Sequence, residues 1–331
     1  MKRTLLILIA FLGVAGMSCE RSTDPEGPSL NDLYGDFQVL EDFESSRQNI
    51  DFSNGSTIFF TAFFSKQVNW KVTITGQNSG AAKVIEGFNF RITEENSTWN
   101  GDITSLPMMK VEPCEVVLNV ETLDTNFADT LFINVRGVKS NDGYLVTDFE
   151  SGLNPGFVRF VQSGVPPMVF DTVNDVTSAE GNACYEMSGE VPFADDLGNI
   201  LMPKSSFADT AFVLPPNDQI VYFNFFARKG PMTVDEIFVF QFMEDDDGNG
   251  VYNAGADDLY EYVLDGLPEN WEHFSVKYAD IVGSSLNGNQ QRDPDKLIEM
   301  RLLPISPPPN RSRIQTFVDY MIFTENSPLR P

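Results

Sequence analysis

The chain has 331 residues, enough for two domains of ordinary size, and carries a formal net charge of −26 at pH 7. So acidic a chain offers no basic patch, which excludes charge-driven binding to nucleic acid and to an anionic lipid surface. Its 28 Phe, 24 Gly and 20 Pro residues are typical of short strands joined by many turns.

The N-terminus has the features of an export signal. Lys2 and Arg3 precede an apolar run over residues 5–16, which is too short to anchor the chain as a helix across a bilayer. Cys19 follows, and the arrangement resembles the lipobox of bacterial lipoproteins, in the loose form familiar from the Bacteroidota. The resemblance implies a signal peptide over residues 1–18, a lipid anchor on Cys19 and a location at the outer membrane or cell surface. The alternative is an ordinary secretory signal with an incidental cysteine.

Residues 19–33 are polar and contain two prolines, which predicts a flexible tether. In the next region, over residues 34–139, apolar and polar side chains alternate in the segments VNWKVTIT, CEVVLNVE and DTLFINVRG. Alternation with a period of two indicates antiparallel strands with one solvated face. The region resembles an immunoglobulin-like β-sandwich with Trp70 in its core, although it lacks the paired cysteines of antibody domains.

A turn-rich joint at residues 139–143 leads into a second β-rich region over residues 144–331. The segments that predict strands there are VRFVQ, ACYEMSG, QIVYFNFFARK, EIFVFQFM, LYEYVL, HFSVKYADI, KLIEMRLLP and IQTFVDYMIF. The continuous apolar runs IVYFNFF and IFVFQF indicate central strands buried on both faces. A larger sandwich or jelly roll is therefore expected. Cys114 and Cys184 fall in different domains, so free buried thiols are expected rather than a disulfide.

The stretch EDDDGNGVYNAGADD, residues 244–258, joins two predicted strands and contains six acidic residues without a Lys or Arg. Carboxylates about 4 Å apart repel each other by about 1 kcal/mol even in water, which favours a bound cation. The spacing D-x-D-x-N-G within the stretch opens loops of the calcium-binding kind. The predicted ligands are Asp245, Asp247, Asn249, the backbone carbonyl of Val251, and either Asp257 or Asp258.

The helical form of such a loop, the EF-hand, is rejected. Its closing Glu would fall on Ala256, and no helix pattern flanks the stretch. Calcium is expected to play a structural role, since catalysis would need an open coordination position and a nearby base, and neither is visible. The alternative is a solvated acidic turn with Gly248 and Gly250 as hinges.

The run EIFVFQFMEDDDGNGVYNAGADDLYEYVL, followed by WEHFSVKYAD and closed by FVDYMIF, resembles the galactose-binding-like jelly roll. The resemblance covers about residues 144–331. Besides the acidic stretch, the residues that carry it are Trp271, Tyr278, Asp280, Asp319 and Tyr320. Such modules recur in surface lipoproteins of polysaccharide-degrading Bacteroidota. The family implies a non-catalytic carbohydrate-binding role, often with a structural calcium ion, although its members also include adhesins and appendages of enzymes.

Sugar rings stack through their C–H groups on exposed aromatic rings flanked by amides and charged groups. The candidates for glycan binding are Trp99, Tyr252, Asn287, Asn289 and Arg292. Trp99 lies in the polar segment ENSTWNGD, where edge packing is the alternative role. The last three lie in the amide-rich segment GSSLNGNQQRD, for which a mobile solvent loop is the alternative.

No catalytic residue is predicted. His273, the single histidine, lies in an alternating strand where a structural role is expected, and a zinc site with several His or Cys ligands is excluded. We therefore expect an all-β, non-catalytic, lipid-anchored surface protein that binds polysaccharide or oligosaccharide, accessory to polysaccharide capture, with a structural calcium loop. The alternatives are a structural or adhesive surface lipoprotein that binds a protein partner, and a glycoside hydrolase, for which no acid pair stands out.

Overall fold

The structure, a computed structural model, describes residues 35–121, 126–161, 165–175, 177–191, 197–209, 212–307 and 312–331. Over these residues the chain is nearly all β, as the sequence predicts. The predicted signal peptide, the tether and the lipidation site Cys19 lie outside the described residues. Among the described residues, no helix is long and apolar enough to cross a membrane.

The first region forms one sheet of six strands. Its elements are β1 (Val39–Ser45), β2 (Asn49–Asp51), β3 (Phe60–Gly76), β4 (Ala82–Ile92), the short helix α1 (Glu94–Ser97), β5 (Pro113–Glu121) and β6 (Asn126–Gly137). The strand order is β1-β3-β5-β6-β2, and β4 pairs with β3. The pairing of β2 with β6 is parallel, and the other pairings are antiparallel. An immunoglobulin-like topology for this region stays a prediction.

The core of the first region follows the alternation of the sequence. In β3, Trp70, Val72 and Ile74 are buried while Lys71 is exposed, and Trp70 occupies the core as predicted. Its partner on β4 is Gly87. A Cβ atom at position 87 would lie 2.6 Å from the Trp70 ring, so the indole fits only because this residue has no side chain.

The second region contains two sheets. Its strands are β7 (Tyr144–Thr147), β8 (Val158–Val161), β9 (Val165–Asn174), β10 (Ala183–Val191), β11 (Gly198–Pro203), β12 (Val221–Lys229), β13 (Ile237–Glu244), β14 (Asp258–Asp265), β15 (Glu272–Lys277), β16 (Val282–Leu286), β17 (Leu297–Ile305) and β18 (Ser312–Glu325), with 3-10 turns at Lys204–Ser206, Tyr278–Asp280 and Pro294–Lys296. The β12 sheet has the order β15-β12-β18-β10-β9, with β7 paired to β18. The β13 sheet has the order β16-β14-β13-β17-β11-β8.

Phenylalanine rings fill the space between these two sheets. The rings of Phe225 on β12 and Phe240 on β13 have centroids 4.4 Å apart, and those of Phe223 and Phe242 lie 5.3 Å apart. Both β12 and β13 have a neighbouring strand on each side, so the prediction of central strands is confirmed, while Gln241 on the outer face of β13 is partly exposed. All eight segments predicted as strands in this region contain one. The two predicted thiols are free and buried.

The two regions touch through a small apolar cluster. Leu106 and Met108 from the first region pack against Phe226 and Tyr320 of the second. The backbone N–H of Met108 also donates to the carbonyl of Ala179 at 2.7 Å. The segment around Leu106 and Met108 thus lies against the side of the β12 sheet that faces away from the β13 sheet.

Glu236 is a buried carboxylate at the start of β13. The hydroxyl of Thr316 donates to one of its oxygens, while the other oxygen is buried without a partner among the described residues. Burial raises the pKa of Glu236 from 4.5 to about 7. The folded chain therefore holds the Glu236 proton more tightly than the unfolded chain does. The protonated Glu236 side chain contributes its full stability below about pH 4.5, and this contribution is lost as the pH rises through about 7.

We expect Glu236→Gln to raise the free energy of unfolding by about 3 kcal/mol at pH 8, because the neutral amide avoids the cost of burying the ionised carboxylate. This value is the free-energy equivalent of the rise in the Glu236 pKa from 4.5 to about 7. At pH 5 the folded carboxyl is already protonated, so the gain should fall to about 1 kcal/mol or less. Urea unfolding at the two pH values measures the difference. An equal effect of the substitution at both values would show that the buried carboxylate is not the cause.

Candidate functional site

The acidic loop between β13 and β14 is closed by hydrogen bonds to its own carboxylates. Asp245 accepts the backbone N–H groups of Asn249 at 3.0 Å and Gly250 at 2.9 Å. Asp247 accepts the same N–H of Asn249 at 3.1 Å. Gly248 and Gly250 have φ angles of 71° and 83°, a conformation that glycine adopts without strain. The two glycines therefore allow the sharp turns that fold the segment back on itself.

Asp257 completes this group from the far end of the loop. Its carboxylate accepts the backbone N–H groups of Asp246 at 2.8 Å and Asn253 at 2.7 Å. One carboxylate oxygen from each of Asp245, Asp247 and Asp257 lies within 4.8 Å of the other two, close enough for all three to contact one cation. We call these three residues the loop cluster.

Asp258 does not join the loop cluster, which corrects its prediction as an alternative closing ligand. It is buried, and its two carboxylate oxygens accept the backbone N–H groups of Gly288 at 2.7 Å and Gln290 at 2.6 Å. Asp258 therefore ties the acidic loop to the connection between β16 and β17. The two other predicted ligands, Asn249 and Val251, are exposed, and the Asn249 side-chain oxygen accepts the N–H of Val251 at 2.8 Å.

A row of polar side chains crosses the outer face of the β13 sheet. Phe240 and Phe242 point into the sandwich, so Gln241 between them points outward. Glu261 on β14 and Arg301 on β17 stand directly opposite Gln241. The Gln241 amide donates to Glu261 at 2.7 Å, and the Arg301 guanidinium donates to the Gln241 amide oxygen at 3.3 Å. The three side chains therefore form a chain of hydrogen bonds across three strands.

Glu299 extends this row along β17, with its carboxylate 4.0 Å from the Arg301 guanidinium. We call Glu261, Gln241, Arg301 and Glu299 the outer ladder. All four residues are partly exposed. The Nε atom of Arg301 has no hydrogen-bond partner among the described residues. The outer ladder thus holds carboxylates, an amide and a guanidinium group on partly exposed residues, although the unpartnered Nε atom of Arg301 is itself buried.

Apolar side chains flank the outer ladder on the same face. Leu201 on β11 pairs with Val158 on β8 and, on its other side, with Arg301 on β17. Residues paired across antiparallel strands share a face, so Val158 lies on the same face as the outer ladder. Phe160 stands two residues beyond Val158, and Val263 extends the face on β14. Val158, Phe160 and Val263 are each more than half exposed. Because β8 is an edge strand, this part of the face is open at its margin.

A cleft of about 520 Å³ lies where the outer ladder meets the acidic loop. Tyr252 from the loop and Glu299 from the ladder both line it, together with Lys204 and Phe212 from the segment after β11. Burial raises the pKa of the Tyr252 hydroxyl, which is therefore protonated and able to donate at neutral pH. Of the five residues predicted for glycan binding, Tyr252 is the one that lines this cleft.

Trp99 is fully buried, which corrects its prediction as an exposed platform for a sugar. Its Nε1–H donates to the carbonyl of Asp102 at 2.7 Å, and its ring packs edge-on against Phe52 with centroids 4.7 Å apart. The polar residues next to Trp99 in the sequence give no sign that its ring is buried. Trp99 pairs with Ile58 in an isolated β-bridge, and its ring turns into the core. The packing alternative is the one that the structure supports.

The other three predicted glycan residues hold the connection between β16 and β17 in place. Asn287 donates to the carbonyl of Ala254 at 2.9 Å, and Asn289 donates to Asp293 at 2.6 Å. The Nε–H of Arg292 donates to the carbonyl of Ile281 at 2.8 Å. Arg292 also lies over the ring of Tyr260, 5.2 Å from its centroid. These side chains use their donors within the protein and do not line the cleft.

The sequence contains one signal for the outer ladder, a polar residue within each of two apolar runs. Gln241 is the single polar residue in the run IFVFQFM, and Arg301 interrupts the run IEMRLLP. A polar residue in a strand predicted to be buried on both faces must meet a partner or an opening. Gln241 on β13 and Arg301 on β17 are paired in the sheet. This pairing depends on the register between the two strands, which tertiary structure sets and the sequence does not show.

A second group of acids, Asp319, Glu180 and Glu150, lies where β18 meets the segment before β10. Asp319 is fully buried and accepts the backbone N–H groups of Glu180 and Tyr320, each at 2.8 Å. Glu150 accepts the N–H of Asn182 at 2.7 Å. Burial, and then the charge of Glu150, raises the pKa of Glu180 to about 7. Asp319 and Glu150 are held by backbone N–H groups, and in the described part of the chain no base or nucleophile is hydrogen-bonded to either of them.

His273 lies on β15, and its ring sits 5.4 Å from the ring of Phe226. Its Nε2 atom is buried without a hydrogen-bond partner among the described residues. Burial lowers the pKa of His273, so the imidazole is neutral at physiological pH. This environment matches the structural role expected from the sequence.

No protein-family model matches the chain, and no curated protein matches it. Among solved structures, carbohydrate-binding modules recur. A module of the β-sandwich superfamily aligns with 87% of this chain and 98% of its own, at 11% identity and a TM-score of 0.38. A family 11 module from Clostridium thermocellum, in complex with a mixed-linked tetrasaccharide, covers 54% of this chain and 94% of its own, at 14% identity and a TM-score of 0.35.

A protein from a xyloglucan utilization locus of Bacteroides uniformis aligns with 87% of this chain and 73% of its own, at 14% identity and a TM-score of 0.35. These TM-scores lie below 0.5, so no ligand or function is transferred from these proteins to this chain. The side chains of the outer ladder, the cleft and the acidic loop are what a function has to explain.

Proposed function

We propose that the chain is a non-catalytic glycan-binding protein of the cell surface, accessory to polysaccharide capture. The observation that carries this function is the outer ladder, with its exposed apolar flanks and the adjoining cleft. Sugar hydroxyl groups need donors and acceptors side by side, while the C–H faces of sugar rings need apolar contacts. The ladder and its flanks supply both on one open face of the sheet.

The chemistry of this face favours a neutral polysaccharide or oligosaccharide. The outer ladder contains two carboxylates, Glu261 and Glu299, and one guanidinium, Arg301, so its formal charge is negative. The whole chain has a formal charge of −26. An acidic glycan would be repelled by this field. Tyr252 supplies the aromatic ring on which a sugar can stack, at the point where the acidic loop meets the cleft.

We infer that Ca²⁺ binds at the loop cluster and orders the acidic loop. The carboxylate oxygens of Asp245, Asp247 and Asp257 lie within 4.8 Å of one another, and hard oxygen ligands of this kind suit calcium. The Asn249 side chain and the Val251 carbonyl are further ligands by their spacing in the sequence. The role of the ion is structural, because it fixes the loop that carries Tyr252.

The second candidate function is adhesion to a protein partner. Phe88 and Phe90 favour it, since they lie on the same side of β4 and are 55% and 47% exposed. Among the strands that the structure describes, β4 pairs only with β3, apart from an isolated bridge between Ala82 and Ser105, so most of its outer edge is open to a partner. This surface belongs to the first region, so substitutions there separate it from the glycan-binding face.

We expect the wild-type protein to be retarded in gels that contain a neutral plant or microbial polysaccharide. Arg301→Ala and Tyr252→Ala should each weaken this binding at least about tenfold, or 1.4 kcal/mol. Both substitutions remove contacts to sugar from the open face while leaving the Phe core intact. Affinity electrophoresis across a panel of polysaccharides makes the measurement.

The matched control for arginine is Arg91→Ala, because Arg91 is an exposed residue of the first region. The control for the aromatic residue is Phe88→Ala. Retardation that Arg91→Ala weakens as much as Arg301→Ala would place the binding surface elsewhere. A protein that no polysaccharide retards would leave adhesion as the better function.

Removing Ca²⁺ with EDTA is expected to lower the melting temperature, because an ion that binds the folded chain at one hundred times its Kd adds about 2.7 kcal/mol. Asp247→Asn should reduce this difference, while Asp265→Asn, an exposed acid at the end of β14, should not. Calorimetry with and without EDTA measures it. A wild-type melting temperature that is indifferent to EDTA would contradict a structural ion.

The anchor on Cys19 predicts that the full-length chain sediments with membranes when expressed in its own type of host. Cys19→Ala should move it to the soluble fraction, since the lipid would have no attachment point. Cell fractionation followed by immunoblotting distinguishes the two locations. If the variant remained with the membrane, lipidation would not be the means of attachment.

A further inference from the structure

The four consecutive acids Glu244, Asp245, Asp246 and Asp247 face two different ways. Asp245 and Asp247 belong to the loop cluster, whereas Glu244 and Asp246 approach Asp293 just before the 3-10 turn that precedes β17. One carboxylate oxygen from each of Glu244, Asp246 and Asp293 lies within 4.8 Å of the other two. We call these three residues the Glu244 cluster.

Glu244 is fully buried at the end of β13. Its Oε1 accepts the hydroxyl of Tyr278 at 2.8 Å and the backbone N–H of Asp293 at 3.0 Å. Its Oε2 is buried and has no hydrogen-bond partner among the described residues. A buried polar group left without a partner is unfavourable, because the hydrogen bonds it made to water in the unfolded chain are not replaced. A ligand at this oxygen would remove that cost.

A second buried oxygen lies beside it. The hydroxyl of Tyr260 also has no hydrogen-bond partner among the described residues, although the residue is almost fully buried. Burial, and then the charge of Glu244, raises the pKa of Tyr260, so its hydroxyl is protonated at neutral pH. The Tyr278 hydroxyl, which is hydrogen-bonded to Glu244, is also buried, so the inner side of the cluster is shielded from water.

Lys296 balances only part of the charge. Its ammonium lies 2.7 Å from Asp293 and 3.1 Å from Asp246, and no ion pair joins it to Glu244 among the described residues. Burial raises the pKa of Glu244 to about 8, so a cation that bound there would displace its proton; with all three carboxylates ionised, one ammonium would leave two negative charges for a divalent cation to neutralise. The Lys296 side chain is 35% exposed, so it can turn to solvent and free both aspartates.

We propose that Glu244, Asp246 and Asp293 form a second Ca²⁺ site, separate from the loop cluster, in which the ion takes the unpartnered oxygen of Glu244 and competes with Lys296 for the two aspartates. An all-oxygen set on two connecting loops suits the flexible coordination of calcium. The ion would fasten the start of the 3-10 turn before β17 to the end of β13. The site stands on its own residues and does not depend on glycan binding.

The test counts bound ions on the full chain after EDTA treatment, by equilibrium dialysis against ⁴⁵Ca²⁺ at pH 7.5. Glu244→Gln is expected to bind one ion fewer than wild type, and Asp247→Asn to lose a different ion, so that the double variant loses two. Glu236→Gln is the matched control, because Glu236 is equally buried with an unpartnered oxygen but belongs to neither cluster. It should bind as many ions as wild type.

Lys296→Gln gives an opposite and independent readout. Removing the competing ammonium should raise the Ca²⁺ affinity of the site at least about threefold, a gain that a misfolded variant would not produce. Two results overturn the second site: a Glu244→Gln chain that binds as many ions as wild type, or a Lys296→Gln chain with unchanged or weaker affinity. Loss of an ion in Asp247→Asn alone would leave a single site at the loop cluster.

Discussion

The packing of phenylalanine rings between the β12 and β13 sheets decides what the rest of the second region can present to solvent. Side chains in a strand alternate between faces, so each inward ring on β13 fixes its neighbour as outward. Phe240 and Phe242 enter the core, and Gln241 between them meets Glu261 and Arg301 on the outer face. A register slip of one residue would send the ladder into the core and the rings into water.

The same strand ends in the acidic loop, so the core also positions the loop. The carboxylates of Asp245 and Asp257 are held by backbone N–H groups, and among the described residues only Asp246 of the loop is paired with a basic side chain, Lys296. Backbone donors orient a carboxylate without cancelling its charge, whereas a Lys or Arg would do both. The loop is therefore ordered in shape but remains strongly negative, a combination that suits the binding of a cation.

Alternation and turn residues were enough to predict the all-β fold, the core position of Trp70 and the central strands β12 and β13. They missed β16, VGSSL, and other short strands whose side chains show no strong pattern. At the site, spacing predicted that acids of the loop converge, and oxygens of Asp245, Asp247 and Asp257 lie within 4.8 Å of one another; the bound calcium stays a prediction. It failed for Trp99 and for the ladder, because burial of a ring in a polar segment and pairing between distant strands are set by tertiary contacts.

Asp258 has a consequence for how the chain responds to damage. Its carboxylate binds the backbone of Gly288 and Gln290, thirty and more residues further along the chain. A protease that cut the exposed tip near Asn249 would leave both new ends attached, one through β13 and the other through this contact. Cleavage there would break the polypeptide while the fragments stay associated, so a nicked protein would still migrate as one particle until it is denatured.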